Sequence, residues 1–195
     1  MSDDETLKVY AQKAEDYAAV VGDDHDPHLA DFTKALPKGG TVLDLGCGPG
    51  HVAAALADGG FDVTATDAVP EMIAMADAHP GVTAYCATFD EISGKDLYDG
   101  IWANFCLLHA PRADMPRHLA ALKTALKPGG AFHIALKSGT GSKRDAIGRL
   151  YTYYTDAELT GLLEAAGFSV TDHTSGRGKG LDGTYADWIA LRAYG

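Results

Sequence analysis

The stretch Val42-Leu43-Asp44-Leu45-Gly46-Cys47-Gly48-Pro49-Gly50 decides the fold of this chain. An apolar run carries an acid near its end and passes into three alternating glycines, followed by His51-Val52-Ala53-Ala54-Ala55-Leu56-Ala57-Asp58. Residues 41–45 are aliphatic and β-branched and follow the turn signal Lys38-Gly39-Gly40, so they read as a buried parallel strand. Residues 51–58 read as a helix. Glycines at 46, 48 and 50 permit positive φ and let a ligand approach backbone that has no Cβ. The helix start then turns its free N–H groups toward that ligand. A strand, a glycine loop and a helix in this order make a nucleotide site.

The acids narrow the choice of nucleotide. Asp44 sits two residues before the first glycine, where a carboxylate at the end of a buried strand needs a partner to offset its desolvation. Asp67 closes the next apolar strand, 61–66, where nucleotide folds place a ribose-binding carboxylate. The nicotinamide fingerprint G-x-G-x-x-G needs its third glycine at position 51, which is His51. It also leaves Asp44 unexplained, because a carboxylate repels a pyrophosphate but stabilises an ammonium or sulfonium cation. The ligand expected is adenosyl and cationic, and a nicotinamide oxidoreductase is the weakest reading.

At this point the chain resembles the class I S-adenosylmethionine-dependent methyltransferases, whose first motif, acid-x-G-x-G-x-G, here reads Asp44-Leu45-Gly46-Cys47-Gly48-Pro49-Gly50. The resemblance covers roughly residues 40–195. It implies that Asp67, with the adjoining Ala68, binds the ribose hydroxyls, and that Thr88-Phe89-Asp90 wraps the adenine. Ile101-Trp102-Ala103-Asn104-Phe105 falls at the family's fourth strand, with Asn104 and Phe105 at the cofactor, and Leu126-Lys127-Pro128-Gly129-Gly130 at the loop before its fifth. Asp44, Gly46, Cys47, Gly48 and Gly50 make up the glycine loop site, with Cys47 placed to touch the methionine part. The implied cofactor is S-adenosyl-L-methionine, with S-adenosyl-L-homocysteine as product. The implied fold is α/β: a Rossmann-like, doubly wound, mostly parallel seven-stranded sheet with an antiparallel C-terminal edge hairpin. One domain over 1–195 is expected, with a helical lid segment at 1–36 and the sheet core at 40–195.

Composition agrees. A chain of 195 residues holds one sizeable core and is short for two α/β domains. A net charge of −11 disfavours a broad electrostatic grip on nucleic acid, which uses a basic face. No stretch reaches the ~18 apolar residues of a membrane span, and Met1-Ser2-Asp3-Asp4-Glu5 is too polar for a secretory signal, so a cytoplasmic protein, monomeric or homodimeric, is expected. Cys47, Cys86 and Cys106 lack C-x-x-C spacing and read as small buried apolar residues. His25 and His28 are three apart but separated by Pro27, which breaks helical register, so no metal site is expected.

Strands and helices alternate along the chain. Helices are expected over 4–20, 28–36, 71–78 and 115–126, and strands over 82–86, 100–104 and 131–137. Thr155-Asp156-Ala157-Glu158 has the form of a capping box opening a helix that ends at Gly167, and 168–173 with 187–194 read as the final strand pair.

Acceptor chemistry belongs beyond the carboxyl ends of the strands, where three segments are expected. Tyr10 and Tyr17, seven residues apart, share one face of the opening helix; the family resemblance implies that this segment lids the cofactor, and plain packing is the alternative. His109, after strand four, is a candidate base because imidazole titrates near neutrality; holding the loop is its alternative role. Lys137, Lys143, Arg144 and Arg149 cluster with only Asp145 opposing them, ahead of Leu150-Tyr151-Thr152-Tyr153-Tyr154. Lys137, Arg144, Arg149 and Tyr153 are therefore the candidate acceptor residues, suited to an anion and a flat group. The expected acceptor is a small molecule, with an anionic one preferred. Two alternatives stand beside it. Residues 148–154 loosely resemble enzymes acting on wobble uridines of transfer RNA with a partner, and a non-catalytic cofactor-binding protein is the third reading.

Overall fold

The computed structural model describes residues 3–20 and 26–195, so His25 of the histidine pair lies outside the described residues. β1 (Thr41–Leu45) is flanked by β2 (Asp62–Asp67) and β4 (Tyr98–Asn104), with β3 (Val82–Cys86) beyond β2 and β5 (Leu126–Lys137) beyond β4, all parallel. Two antiparallel strands, β8 (Ser169–Lys179) and β9 (Tyr185–Tyr194), complete a seven-stranded sheet of order β3-β2-β1-β4-β5-β9-β8. β6 (Ser142–Arg144) and β7 (Leu150–Thr152) form a separate antiparallel pair.

The period-two alternation of each strand sets the two buried faces. Leu43, Leu45, Ile101, Phe132 and Ile134 face Leu119 and Leu122 of α6 (Met115–Ala125) and Leu159 and Leu163 of α7 (Asp156–Ala165). Val42, Val63 and Trp102 face Phe32 of α3 (Pro27–Lys34) and Leu56 of α4 (His51–Asp58). The capping box forms as its sequence demands: Thr155 Oγ1 accepts from the Glu158 N–H, and Glu158 accepts from the Thr155 N–H. Gly50, at φ +85°, lets α4 meet α5 (Pro70–Ala76) closely, since a Cβ there would stand 2.7 Å from Ala76 Cα. No helix of the described residues is long and apolar enough to cross a membrane.

Several expectations are corrected. The opening helix is two, α1 (Asp4–Gln12) and α2 (Ala14–Val20), broken at Lys13. The break lets Leu7 and Tyr10 from one helix, and Ala14 and Tyr17 from the other, all pack on Val69 and Met72 at the start of α5. Pro27 opens α3 instead of interrupting it, with Asp26 as N-cap accepting from the His28 N–H at 2.9 Å. Residues 126–130, expected as a loop, begin β5: Leu126 pairs with Tyr98 before the register shifts. Residues 142–152, to which the sequence assigns no element, form the β6–β7 hairpin. β8 runs six residues past its expected end at His173, through Gly176-Arg177-Gly178-Lys179, a composition that reads as a turn.

Candidate active site

The strand order reverses between β1 and β4, and the carboxyl ends of these strands frame a cleft, where open α/β sheets bind their ligands. Its floor is the glycine loop. Gly48, at φ +54°, exposes its backbone to the cleft, and a Cβ there would come 3.3 Å from the Tyr17 ring. Asp67 at the end of β2 lines the rim; its Oδ2 accepts from the Gly48 N–H (3.0 Å) and its Oδ1 from the Val69 N–H (2.9 Å). Burial pushes its carboxyl above the usual range. Phe89, Asn104 and Phe105 close the far side, and Thr6, Leu7, Tyr10 and Tyr17 form the roof. The cleft spans about 670 Å³ when its mouth, open to solvent, is included.

Beneath the loop lies Asp44, only 3 % exposed. Its Oδ2 has no hydrogen-bond partner among the described residues. Burial first, and the Asp67 charge second, push its carboxyl up to about 7. A buried carboxylate with one oxygen left unpartnered under a ligand cleft is costly unless a cation arrives above it.

A second chamber opens behind the first. The two share Tyr10, Tyr17 and Phe105, and the second adds Leu108, Lys137, Arg149, Tyr151, Leu181 and Trp188. Phe105 stands at the junction with φ +53°, a left-handed conformation that costs a bulky side chain on the order of 1–3 kcal/mol and that clusters at functional sites. Lys137 Nζ sits 3.8 Å from the centre of the Tyr151 ring and pairs with no carboxylate among the described residues. Burial holds its ammonium below the usual lysine range, while Asp182, turned onto the Thr184 hydroxyl at 2.8 Å, opposes that shift from farther off.

A polar chain fixes the roof. Asp145 Oδ2 accepts from Arg149 Nε (2.9 Å) and Nη2 (2.7 Å), and Arg149 Nη1 donates to the Tyr10 hydroxyl at 2.7 Å. That hydroxyl lies 3.0 Å from His109 Nε2, and His109 Nδ1 lies 2.7 Å from the Leu150 carbonyl. A carbonyl only accepts, so the geometry assigns the imidazole proton to Nδ1 and leaves Nε2 to accept from Tyr10. Burial, the largest cause, lowers the His109 pKa to about 4.

The structure therefore brings Gly46, Gly48, Asp67, Ala68, Phe89, Asn104, Phe105, Tyr10, Tyr17 and His109 to one cleft. Other candidates stand apart from it. Asp44 is below the loop, Cys47 turns its Sγ to the Gly48 carbonyl (3.4 Å), and Gly50 packs on α5. Thr88 caps the short turn Phe89–Glu91 through Glu91, and Asp90 binds Arg117 at 2.7 Å. Of the candidate acceptor residues, Lys137 and Arg149 line the second chamber while Arg144 and Tyr153 do not. Arg144 binds Asp3 at 2.8 Å and Glu5 at 3.2 Å, so Asp145 is not the cluster's sole counter-charge. His109, the candidate base, faces the first cleft with both ring nitrogens engaged, Nε2 by the Tyr10 hydroxyl and Nδ1 by the Leu150 carbonyl. The 148–154 stretch turns Arg149, Tyr151, Thr152 and Tyr154 inward, each at most 3 % exposed, and offers these side chains to no external RNA.

Sequence reasoning missed Thr6, whose Oγ1 accepts from the Leu150 N–H at 2.8 Å, together with Val69, Met72 and Cys106 in the cleft and Trp188 in the chamber. Asp3 was open to detection as an N-cap three residues ahead of Thr6, whose N–H it accepts at 2.9 Å.

Comparison with known proteins agrees with this geometry. Residues 24–173 match the family described as Methyltransferase domain. The chain is 28 % identical over 167 residues to the ubiquinone biosynthesis O-methyltransferase of Methylobacterium nodulans, covering 75 % of this chain and 66 % of that protein. It is 30 % identical over 127 residues to the dimethylglycine N-methyltransferase of Parasynechococcus marenigrum, covering 60 % and 45 % respectively. The match thus spans just under two thirds, or less, of the length of these curated relatives. Among solved structures, the 1,6-didemethyltoxoflavin-N1-methyltransferase of Burkholderia thailandensis, with 1,6-didemethyltoxoflavin and S-adenosylhomocysteine bound, superposes with a TM-score of 0.79 at 27 % identity, over 97 % of this chain and 87 % of that one. The chain belongs to the class I S-adenosylmethionine-dependent methyltransferase family.

Two predictions test the electrostatics. Asp44 is protonated in the fold and ionised in the unfolded chain between pH 3.8 and about 7, so its contribution is present at low pH and lost as pH rises through about 7. Relative to the wild type, Asp44→Asn should gain about 1 kcal/mol between roughly pH 6 and 8 in urea unfolding; parallel stability curves would contradict this. Nitrogen NMR should show His109 neutral, with its proton on Nδ1, until the pH approaches about 4; titration at its ordinary 6.5 would contradict the assignment.

Proposed function

We propose that this chain transfers the methyl group of S-adenosylmethionine to a small-molecule acceptor, preferentially an anionic one, held in the second chamber. The observation that carries this reading is the junction: one cleft has an acid-and-glycine floor, the other has an unpaired lysine, and they meet beneath Tyr10, Tyr17 and Phe105. The cleft suits the cofactor on grounds internal to this structure. Asp67 offers a rim carboxylate to a ribose, Gly48 leaves backbone open, and orphaned Asp44 favours a ligand that brings positive charge.

When bound, S-adenosylmethionine supplies an electrophilic methyl carbon on a sulfonium, open to in-line displacement by a lone pair of the acceptor. The protein's part is alignment and exclusion of water. The roof helices cover both chambers, and Phe105 marks the passage through which acceptor and methyl meet. Lys137 would hold an acidic acceptor as its anion, so that the nucleophile arrives already deprotonated. Such a transfer needs no general base, in keeping with the engagement of His109 by Tyr10 and the Leu150 carbonyl. His109 then acts through Tyr10, fixing the roof. Arg149 does the same from the chamber side.

Calorimetric titration with S-adenosylmethionine, S-adenosylhomocysteine and NAD tests the reading. Saturable binding of both adenosyl ligands is expected, weakened at least about tenfold in Asp67→Ala, whose loss removes charge-assisted hydrogen bonds. Binding of NAD alone, or of none of the three, would contradict it.

A further inference from the structure

The second chamber has a wall that the anion alone does not explain. Three residues stand in one row across three strands, because Lys137 of β5 is the register partner of Trp188 on β9, and Trp188 is the partner of Gly176 on β8. Directly opposed residues in a sheet project on the same face about 5 Å apart. The lysine and the indole therefore rise side by side. On β8 the positions that face the indole are glycines. A Cβ at Gly176 would lie 2.4 Å from Trp188 Cζ2 and 2.7 Å from Cε2, and one at Gly178 would lie 3.6 Å from Nε1. The ring thus rests against bare backbone, in space that any larger side chain at 176 would take. Phe105 meets it edge-on, with centroids 6.3 Å apart and planes at 89°. Trp188 remains half-buried and lines the chamber beside the Lys137 ammonium, which rests on the Tyr151 ring and has no carboxylate partner among the described residues.

A residue as large as tryptophan seated on a glycine stripe gives a flat, rigid surface that loses little entropy on binding. From this juxtaposition, and resting on the methyl-transfer reading above, we infer that the acceptor is a planar ring bearing an acidic oxygen, its face against Trp188 and its anion at Lys137 Nζ. The class excludes flexible aliphatic anions, which would gain the charge contact but leave the indole uncovered. A neutral ring would gain the stacking but leave the ammonium unpaired. Lys137 and Trp188 together read shape and charge from adjacent strands, without a loop having to order.

Matched probes separate these terms. Trp188 is a fluorescent reporter inside the chamber, while the chain's second tryptophan, Trp102, is buried and stacked on His133 at 3.7 Å. The protein saturated with S-adenosylhomocysteine is titrated with benzoate, cyclohexanecarboxylate and benzamide while tryptophan emission is followed. Benzoate should change the emission saturably at millimolar concentration, with the other two binding roughly tenfold more weakly. Lys137→Met should erase the preference for benzoate over benzamide. Gly176→Ala, which displaces the indole, should erase the preference over cyclohexanecarboxylate. S-adenosylhomocysteine binding, measured on the same samples, should be retained by both variants. Equal binding of benzoate and cyclohexanecarboxylate, or no emission change with benzoate, would overturn the inference while leaving the cofactor reading intact. Failure of S-adenosylhomocysteine itself to bind would instead sink the reading on which it rests.

Discussion

The buried Asp145–Arg149 pair, carried on to Tyr10, is the contact on which both chambers depend. The side chains of Arg149 and Asp145 are 2 % and 4 % exposed, so neither charge has water to fall back on. A buried pair of this kind adds little net stability when complete, but removing one partner costs about 3–5 kcal/mol because the other charge is stranded. Its consequence is architectural. Arg149 donates through Nη1 to the Tyr10 hydroxyl, which in turn reaches His109, so α1, the β6–β7 hairpin and the segment after β4 are joined through one phenol. Thr6 adds a hydrogen bond from the hairpin, and Asp3 an ion pair to Arg144. The two helices that roof the clefts are thereby tied to the hairpin beside the sheet.

That arrangement explains why a short helical segment can serve as a roof. α1 has nine residues and α2 seven, lengths at which isolated helices are marginal in water. Packing on Val69 and Met72 and the Tyr10 network supply what propensity does not. The same contacts put Tyr10 and Tyr17 edge to face, centroids 5.4 Å apart, at the boundary shared by cofactor and acceptor. Positioning of substrate and construction of the fold thus use the same side chains.

The glycine loop, the acid Asp67 at the end of the second strand and the alternation of strands and helices were legible in the sequence because their information is local: residue types at fixed spacing demand a particular turn and expose a particular backbone. The chamber was not. Lys137, Trp188 and Gly176 lie on three strands and meet only through antiparallel register, and Gly176-Arg177-Gly178 reads as a turn until the indole is placed on it. Charge clustering misled for a related reason. Arg144 and Arg149 are five residues apart on one hairpin, yet one stays at the surface with Asp3 and Glu5 while the other is swallowed beside Asp145. Sequence reports how many cations a segment has; the fold decides which of them reaches the chamber without a carboxylate partner, and in this segment that is Lys137. His109 likewise stood at a plausible place for a base, and only the positions of Tyr10 and the Leu150 carbonyl show its lone pair already taken.

The most direct test of the two-chamber account is a crystal structure with S-adenosylhomocysteine bound. The account predicts the ribose hydroxyls on Asp67, the homocysteine portion over the loop from Gly46 to Gly50, and the sulfur facing the passage at Phe105 into the chamber of Lys137 and Trp188. A ligand bound elsewhere, or one whose sulfur faces away from that passage, would contradict it.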